Sequence, residues 1–195
     1  MAESRSIRKN SVSKRDVLVY NIFILITALI PGCSLLWSPE YPPLEVVPGV
    51  DVKRYTGIWY EIASLPVSQQ KGCFCTKAEY VMLDDGDLRV VNSCRKGSSG
   101  GEIDRAEGKA FIVPGSNNAK LKVQFFWPFR GDYWILELDE NYSYAVVGTP
   151  SRRYCWILSR TPTMPPATLH MLVERLRTKG FDVSRLQHTE HTCAD

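Results

Sequence analysis

The sequence predicts an all-β protein, an eight-stranded up-and-down antiparallel barrel with one C-terminal helix packed on its outside. Eight short segments rich in β-branched and aromatic residues follow one another between residues 58 and 160, with turn residues between them. Several short strands at this spacing are typical of a sandwich or barrel. Strands joined in chain order favour an up-and-down barrel. A stretch with helical periodicity then follows the last segment.

The strands are predicted from local composition and turn residues. They are residues 58–65, 76–83, 88–94, 108–113, 121–127, 133–138, 144–148 and 155–160. Asp85-Gly86 lies between the second and third strands, and Asp-Gly between two alternating segments is a strong hairpin signal. Pro114-Gly115 and Pro128 end the fourth and fifth strands. Residues 181–186 are predicted as a further short strand.

The helix is predicted from its boundaries and its apolar stripe. Pro165-Pro166 opens it and Gly180 ends it, as proline and glycine commonly do at these two positions. The apolar residues at helical spacing are Leu169, Leu172, Val173 and Leu176. We expect this stripe to pack against the outer wall of the barrel.

Residues 121–129 and 131–138 are apolar or aromatic on both faces of their strands. An eight-stranded barrel is just wide enough to hold one small ligand. Because these strands carry more apolar surface than a solid core of this size needs, they are consistent with an apolar cup. The alternative is that the same side chains fill the core and pack the helix.

The first 33 residues resemble an export leader. Residues 1–16 are polar and basic, and residues 17–30 are almost entirely apolar. Fourteen residues span only about 21 Å as a helix, which is short of the ~30 Å hydrocarbon core of a bilayer. We therefore predict a signal peptide at residues 1–32, a proline-rich tether at residues 33–49 and the folded domain at residues 50–195. The alternative is a short signal-anchor helix that stays in place.

Charge and cysteine content narrow the function classes. Residues 34–195 hold nineteen basic and nineteen acidic side chains, so a nucleic-acid partner has no electrostatic support. Six cysteines in a chain of 195 residues indicate an oxidising compartment. All three histidines lie in the last 26 residues, far from any activated serine motif. His188, His191 and Cys193 have donor atoms for a metal, but a polar tail is the commoner explanation, and we predict no metal and no cofactor.

Three segments together carry a resemblance to the lipocalin family. Residues 57–63 resemble the G-x-W segment that opens the lipocalin barrel, residues 138–148 resemble the second conserved segment, and residues 156–162 resemble the third. The segments occur in the family's order with a helix after the last strand, and the resemblance covers about residues 50–190. It is strongest to the bacterial outer-membrane lipoprotein lipocalins and extends to apolipoprotein D.

The resemblance implies structural roles for three residues and a ligand class for the barrel. Trp59 would plug the closed end with Arg160 across its indole ring, and Gly57 would permit the turn into the first strand. The cavity would take a fatty acid or a lysophospholipid at the opposite end. The candidate lining residues, taken from the aromatic-dense strands, are Phe125, Trp127, Phe129, Tyr133 and Trp134. Which of these side chains point into the barrel is not determined, because a shift of one residue in strand register exchanges the two faces of a strand.

The resemblance also bears on the cysteines. Without Cys33 there are five, and any four of them allow three connectivities. Family members imply Cys75–Cys193 and Cys73–Cys94, which would leave Cys155 as a buried free thiol. Two alternatives remain besides a lipid-binding protein. One is a cysteine-dependent isomerase of the lipocalin prostaglandin-synthase kind, using Cys75 or Cys155, although we expect no enzyme; the other is an envelope interaction lipoprotein without a ligand.

Residues 30–33, Ile-Pro-Gly-Cys, resemble a bacterial lipobox, in which the cysteine becomes an acylated N-terminus. This implies that Cys33 carries fatty acyl groups such as palmitate. Acyl chains on Cys33 would hold the protein on a membrane, since each buried methylene contributes about 0.8 kcal/mol. The expected location is the periplasmic face of an outer membrane, as a monomer or a dimer.

Overall fold

A computed structural model describes residues 41–193. A short helix α1 (Val52–Tyr55) precedes the strands, and a long helix α2 (Pro166–Thr178) follows them. The strands are β1 (Gly57–Ser64), β2 (Cys73–Met82), β3 (Leu88–Lys96), β4 (Ile103–Ile112), β5 (Lys120–Phe126), β6 (Phe129–Leu138), β7 (Tyr144–Gly148), β8 (Cys155–Ser159) and β9 (Gln187–His188). Two 3-10 helices lie at Ser68–Gln70 and Val183–Arg185.

Strands β1 to β8 close into an antiparallel barrel. Each pairs with the next along the chain, and β1 pairs with both β8 and β2, which removes the free edges. The predicted fold class is therefore confirmed. The expected strand at residues 181–186 is wrong, because that stretch contains a 3-10 helix and the ninth strand begins only at Gln187, where it pairs with the end of β1.

Three strands extend further than their apolar segments predicted. Strand β2 begins at Cys73, β4 at Ile103 and β6 at Phe129, all at the same end of the barrel. The first five residues of β4 are exposed and mostly polar, so they carry no apolar alternation to indicate a strand. Their backbone ladder with β3 holds them in the sheet.

The two ends of the barrel differ. Helix α1 covers the end where β1 begins, and the Asp51 side chain caps it by accepting hydrogen bonds from the backbone N–H groups of Lys53 and Arg54. The β5–β6 hairpin, the 65–72 segment and the loop after β3 stand at the opposite end. The barrel is therefore closed at the α1 end and open at the other.

Helix α2 packs on the outer wall, as its apolar stripe predicted. Leu172 and Leu176 are fully buried, in a second core that is separate from the barrel interior. The helix ends at a left-handed Gly180 (φ +84°), where the N–H groups of Gly180 and Phe181 donate to the carbonyls of Arg177 and Leu176. These two bonds satisfy carbonyls that the helix end would otherwise leave unpaired.

The predicted leader at residues 1–32 and Cys33 lie outside the described residues. Residues 41–49, the last part of the predicted tether, run along the barrel wall. Leu44 is buried beneath α2, and the Val47 N–H donates to the Ile135 carbonyl at 3.0 Å. Among residues 41–193, no helix combines the length and apolar character that a membrane span requires.

Candidate functional site

The open half of the barrel encloses a cavity of about 590 Å³. It exists because inward positions on three alternate strands carry small side chains, namely Ala78 on β2, Ala106 on β4 and Gly131 on β6. Nearer the closed end, the same inward rows carry larger residues such as Tyr80 and Tyr133. The change from small to large side chains sets the depth of the cavity. The volume of the cavity lies in the range typical of small-molecule sites.

Three tyrosine hydroxyls meet at the floor of the cavity. The Tyr133 hydroxyl lies 2.8 Å from that of Tyr55 and 2.9 Å from that of Tyr80. Burial raises the pKa of Tyr80 to about 12 and raises the pKa values of Tyr55 and Tyr133 well above their usual range. The three groups are therefore neutral at physiological pH.

This tyrosine cluster has more donors than it uses. Three hydroxyls supply three protons, and the two hydrogen bonds among them consume two. Because either Tyr55 or Tyr133 can be the donor in their shared bond, the third proton lies on one of these two hydroxyls. On Tyr133, which lines the cavity, it can be donated to water or to a neutral ligand oxygen. The floor thus combines apolar walls with one small polar spot.

Beneath the tyrosines, Trp59 and Arg160 close the barrel. Trp59 is fully buried, and its Nε1–H donates to the Tyr55 carbonyl at 2.8 Å. The Arg160 guanidinium lies 3.8 Å from the Trp59 ring centroid and donates to the carbonyls of Ile58 and Arg54 at 2.9 and 2.6 Å. Burial lowers the pKa of Arg160, and the neighbouring Tyr55 hydroxyl partly offsets this lowering. The guanidinium thus joins the start of β1, α1 and the end of β8.

Gly57 is required by the same contact. Its φ is +91°, a left-handed conformation that L side chains rarely adopt. A Cβ there would lie 3.3 Å from an Arg160 nitrogen. The three residues to which the resemblance assigns structural roles therefore lie together at the closed end of the barrel.

A buried carboxylate holds the 65–72 segment against the cavity wall. Glu61 accepts hydrogen bonds from Ser64, Thr189 and Gln70 at 2.9, 2.7 and 2.6 Å. Gln70 in turn accepts from the Trp156 indole at 3.2 Å. These neutral donors satisfy the carboxylate, and the network gives the mouth of the cavity a fixed rim on this side.

The predicted lining residues divide into two groups. Phe125 and Tyr133 line the cavity, and Phe129 lines its mouth. The expectation is wrong for Trp127 and Trp134, which are not among the lining residues. Trp127 is 87% exposed at the tip of the β5–β6 hairpin. Trp134 follows an inward residue, so it points outward, where it packs near α2 with the Lys120 ammonium 4.0 Å from its ring.

Sequence reasoning missed the small inward residues Ala78 and Ala106. It looked for large aromatic side chains, whereas the space results from their absence. The sequence does carry a signal for them, because small and charged residues alternate at positions 105–108 of β4, Arg-Ala-Glu-Gly.

The described cysteines form the two pairs that the resemblance implied. Cys73 is bonded to Cys94, and Cys75 to Cys193. Within residues 41–193 this leaves Cys155 as the free cysteine. Cys155 is buried in the outer core beneath α2 rather than in the cavity, and burial raises the pKa of its thiol to about 12.

His191, near the C-terminus, takes part in packing. The His191 Nε2 lies 2.7 Å from the Glu61 carbonyl, and its ring contacts Tyr60 edge to face. In the described part of the chain, no three His, Cys, Asp or Glu side chains are grouped as a metal site would need.

Comparison with known proteins gives consistent results. A family model described as "Lipocalin-like domain" matches residues 50–191. The chain is 42% identical over 168 residues to "Outer membrane lipoprotein Blc" of Vibrio cholerae, which covers 86% of this chain and 95% of that protein. It is 43% identical over 159 residues to "Temperature-induced lipocalin-1" of Arabidopsis thaliana, covering 77% and 84% respectively.

More distant relatives and solved structures have the same fold. Apolipoprotein D of Mus musculus is 36% identical over 163 residues, covering 79% of this chain and 83% of that protein. Insecticyanin from Manduca sexta superposes with a TM-score of 0.61 at 23% identity, covering 78% of this chain and 87% of that chain. Lobster apocrustacyanin A1 superposes with a TM-score of 0.59 at 19% identity, covering 78% and 93%.

Proposed function

The chain belongs to the lipocalin family, and on this premise we propose that it binds one single-chain lipid, a fatty acid or a lysophospholipid, in its cavity. The observation that carries the proposal is the cavity of about 590 Å³, which is open at one end and closed at the other by the Trp59–Arg160 contact. A closed floor and one entrance favour a ligand that inserts an apolar chain and leaves its polar group at the mouth.

The energetics agree with this ligand class. Each methylene moved from water into an apolar site contributes about 0.8 kcal/mol, so a dozen correspond to about 10 kcal/mol before the costs of association. Polar side chains such as Gln69 and Arg130 lie at the mouth, where they can contact a headgroup. The apolar interior binds the chain, and the rim meets the aqueous end.

Binding is favoured over catalysis by the state of the two candidate thiols. An isomerase of the prostaglandin-synthase kind needs a reactive thiolate that faces the cavity. Cys75 is in a disulfide, and Cys155 is buried outside the cavity with its pKa raised to about 12. Neither thiol meets the requirement.

For the cellular role, we propose storage, transport or repair of membrane lipids at the periplasmic face of an outer membrane. Cys33, processed at its lipobox, would carry the acyl anchor. Support comes from the residues around Cys33 and from the similar protein of Vibrio cholerae, which is named an outer membrane lipoprotein. Intact-mass measurement on membrane fractions tests this: an acylated chain beginning at Cys33 is expected, and an unmodified chain beginning at Met1 would contradict it.

The binding proposal is tested by filling the cavity. Ala106→Trp places a large ring into the lumen from β4, and Glu107→Trp places the same ring on the outer face one residue later, where Glu107 pairs with Arg89. Displacing two methylenes of ligand corresponds to about a tenfold loss of affinity. We expect at least that loss for Ala106→Trp with palmitate or lysophosphatidylethanolamine, and a change within about twofold for Glu107→Trp.

The two variants are compared at equal thermal stability, so that misfolding is not mistaken for a blocked cavity. Unchanged affinity in a folded Ala106→Trp variant would contradict the assignment of the cavity as the binding site. Failure of every tested lipid to bind the unmodified chain would favour the envelope interaction protein without a ligand.

A further inference from the structure

Three aromatic side chains project from the tip of the β5–β6 hairpin. Phe126, Trp127 and Phe129 are 75, 87 and 77% exposed. We call these three residues the tip patch. Neighbouring large aromatic residues at such exposure are costly in water, and exposed apolar groups of this kind mark interaction sites.

The tip patch is continuous with the mouth of the cavity. Phe126 and Phe129 are exposed to solvent and also contribute to the lining of the opening. Whatever covers the tip patch therefore lies directly at the entrance to the cavity.

The described chain begins at the same end of the barrel. Tyr41 packs against Gly180, and its ring lies 5.2 Å from the guanidinium of Arg152, in the turn between β7 and β8. Cys33 is eight residues earlier in the sequence, and eight residues span at most about 29 Å. Tyr41, the first described residue, thus lies at the end of the barrel that holds the mouth.

We propose that the tip patch docks into the interfacial region of a lipid bilayer, so that the cavity opens toward the membrane. Tryptophan and other aromatic side chains favour this region, because an apolar ring can contact the acyl chains while the indole N–H contacts water or a headgroup. A second copy of the chain fits less well as the occupant. Three aromatic side chains bury at most about 750 Å², less than the ~800 Å² per partner of a standard protein interface.

Docking goes beyond lipid binding and is independent of the acyl group. The test uses the full chain with Cys33→Ser in every variant, so that no acyl chain contributes. Vesicles of phosphatidylethanolamine and phosphatidylglycerol carry brominated acyl chains, which quench tryptophan fluorescence at short range. We expect the vesicles to quench a component that is present in the parent chain and absent in Trp127→Phe.

Partitioning onto the same vesicles without bromine provides the second measurement. Trp127→Ser is expected to lower the partition coefficient by about tenfold, because one large apolar side chain no longer leaves water. Ile58→Ser is the control, since Ile58 is 40% exposed at the closed end of the barrel, and we expect it to have no effect. Equal quenching in the parent and Trp127→Phe, or equal partitioning of Trp127→Ser and Ile58→Ser, would overturn the proposal.

Two further measurements separate this inference from its alternatives. Palmitate binding without vesicles should be the same in Trp127→Ser and the parent, because Trp127 does not line the cavity. Absence of palmitate binding in both proteins would refute the lipid-binding function and leave the docking proposal intact. Sedimentation without vesicles should show a monomer. A dimer that Trp127→Ser dissociates would assign the tip patch to a second copy and overturn the bilayer proposal.

Discussion

Replacing Trp59 by alanine should destabilise the barrel severely without touching the mouth of the cavity. The ring is fully buried at the closed end, lies 5.0 Å from the Tyr55 ring and supports the Arg160 guanidinium at 3.8 Å. Its Nε1–H also makes the 2.8 Å bond to the Tyr55 carbonyl. Removing it leaves a cavity that three surrounding elements cannot easily collapse to fill.

The magnitude follows from these contacts. Truncation of a buried tryptophan costs about 3–5 kcal/mol. The lost hydrogen bond contributes about 1 kcal/mol and the lost cation–π contact about 0.5–2 kcal/mol within that total, which favours the upper half of the range. We predict a loss of about 4–5 kcal/mol, corresponding to a fall in Tm of about 8–20 °C for a domain of this size.

Urea unfolding without reductant, followed by far-ultraviolet circular dichroism, measures the loss. Trp127→Ala is the matched control, since the same truncation at an 87% exposed position should change stability by less than about 0.5 kcal/mol. A Trp59→Ala variant as stable as the Trp127→Ala variant would refute the assignment of Trp59 as the structural plug.

Three further predictions concern the thiols and the tyrosines. In a chain with Cys33→Ser, Cys155 should resist a thiol reagent while the protein is folded and react on unfolding, since its pKa is raised to about 12; rapid labelling of native protein would contradict its burial. Tyr80, with its pKa raised to about 12, stays protonated in the folded state at pH values where the unfolded chain releases the proton, so stability should fall as pH rises from about 10 to about 12. Tyrosinate absorbance measures this, and full titration of all nine tyrosines near pH 10 in folded protein would be inconsistent with it. Cys75→Ser/Cys193→Ser should lose about 2–4 kcal/mol in urea unfolding, and Cys73→Ser/Cys94→Ser about 1.5 kcal/mol less, because the bridges span 118 and 21 residues; equal losses would argue against this chain-entropy explanation.

The sequence predicted the elements with strong local patterns and missed those set by tertiary contacts. The apolar stripe Leu172–Leu176 and the Asp85-Gly86 turn are local signals, and both lie where they were expected. Helix α1 has only four residues and depends on its cap and on its position over the barrel end. The two-residue strand β9 exists through pairing with β1, which no local pattern records.

The binding site shows the same division. Trp59 and Arg160 were predicted by family resemblance and lie in contact, whereas the lining was predicted from aromatic content alone. Because side chains alternate between the two faces of β6, Tyr133 faces the cavity and Trp134 faces α2. The register between strands decides which side chains point inward, and this register is determined by the whole barrel rather than by one strand.

The central claim, that the barrel holds one lipid chain in its cavity, is tested most directly by native mass spectrometry of the unreduced protein exposed to mixed fatty acids and lysophospholipids. One bound lipid per chain is expected, on a protein mass four hydrogens below that of the all-thiol form because of the two disulfides. A folded, disulfide-bonded chain that retains no lipid at any tested concentration would contradict the claim.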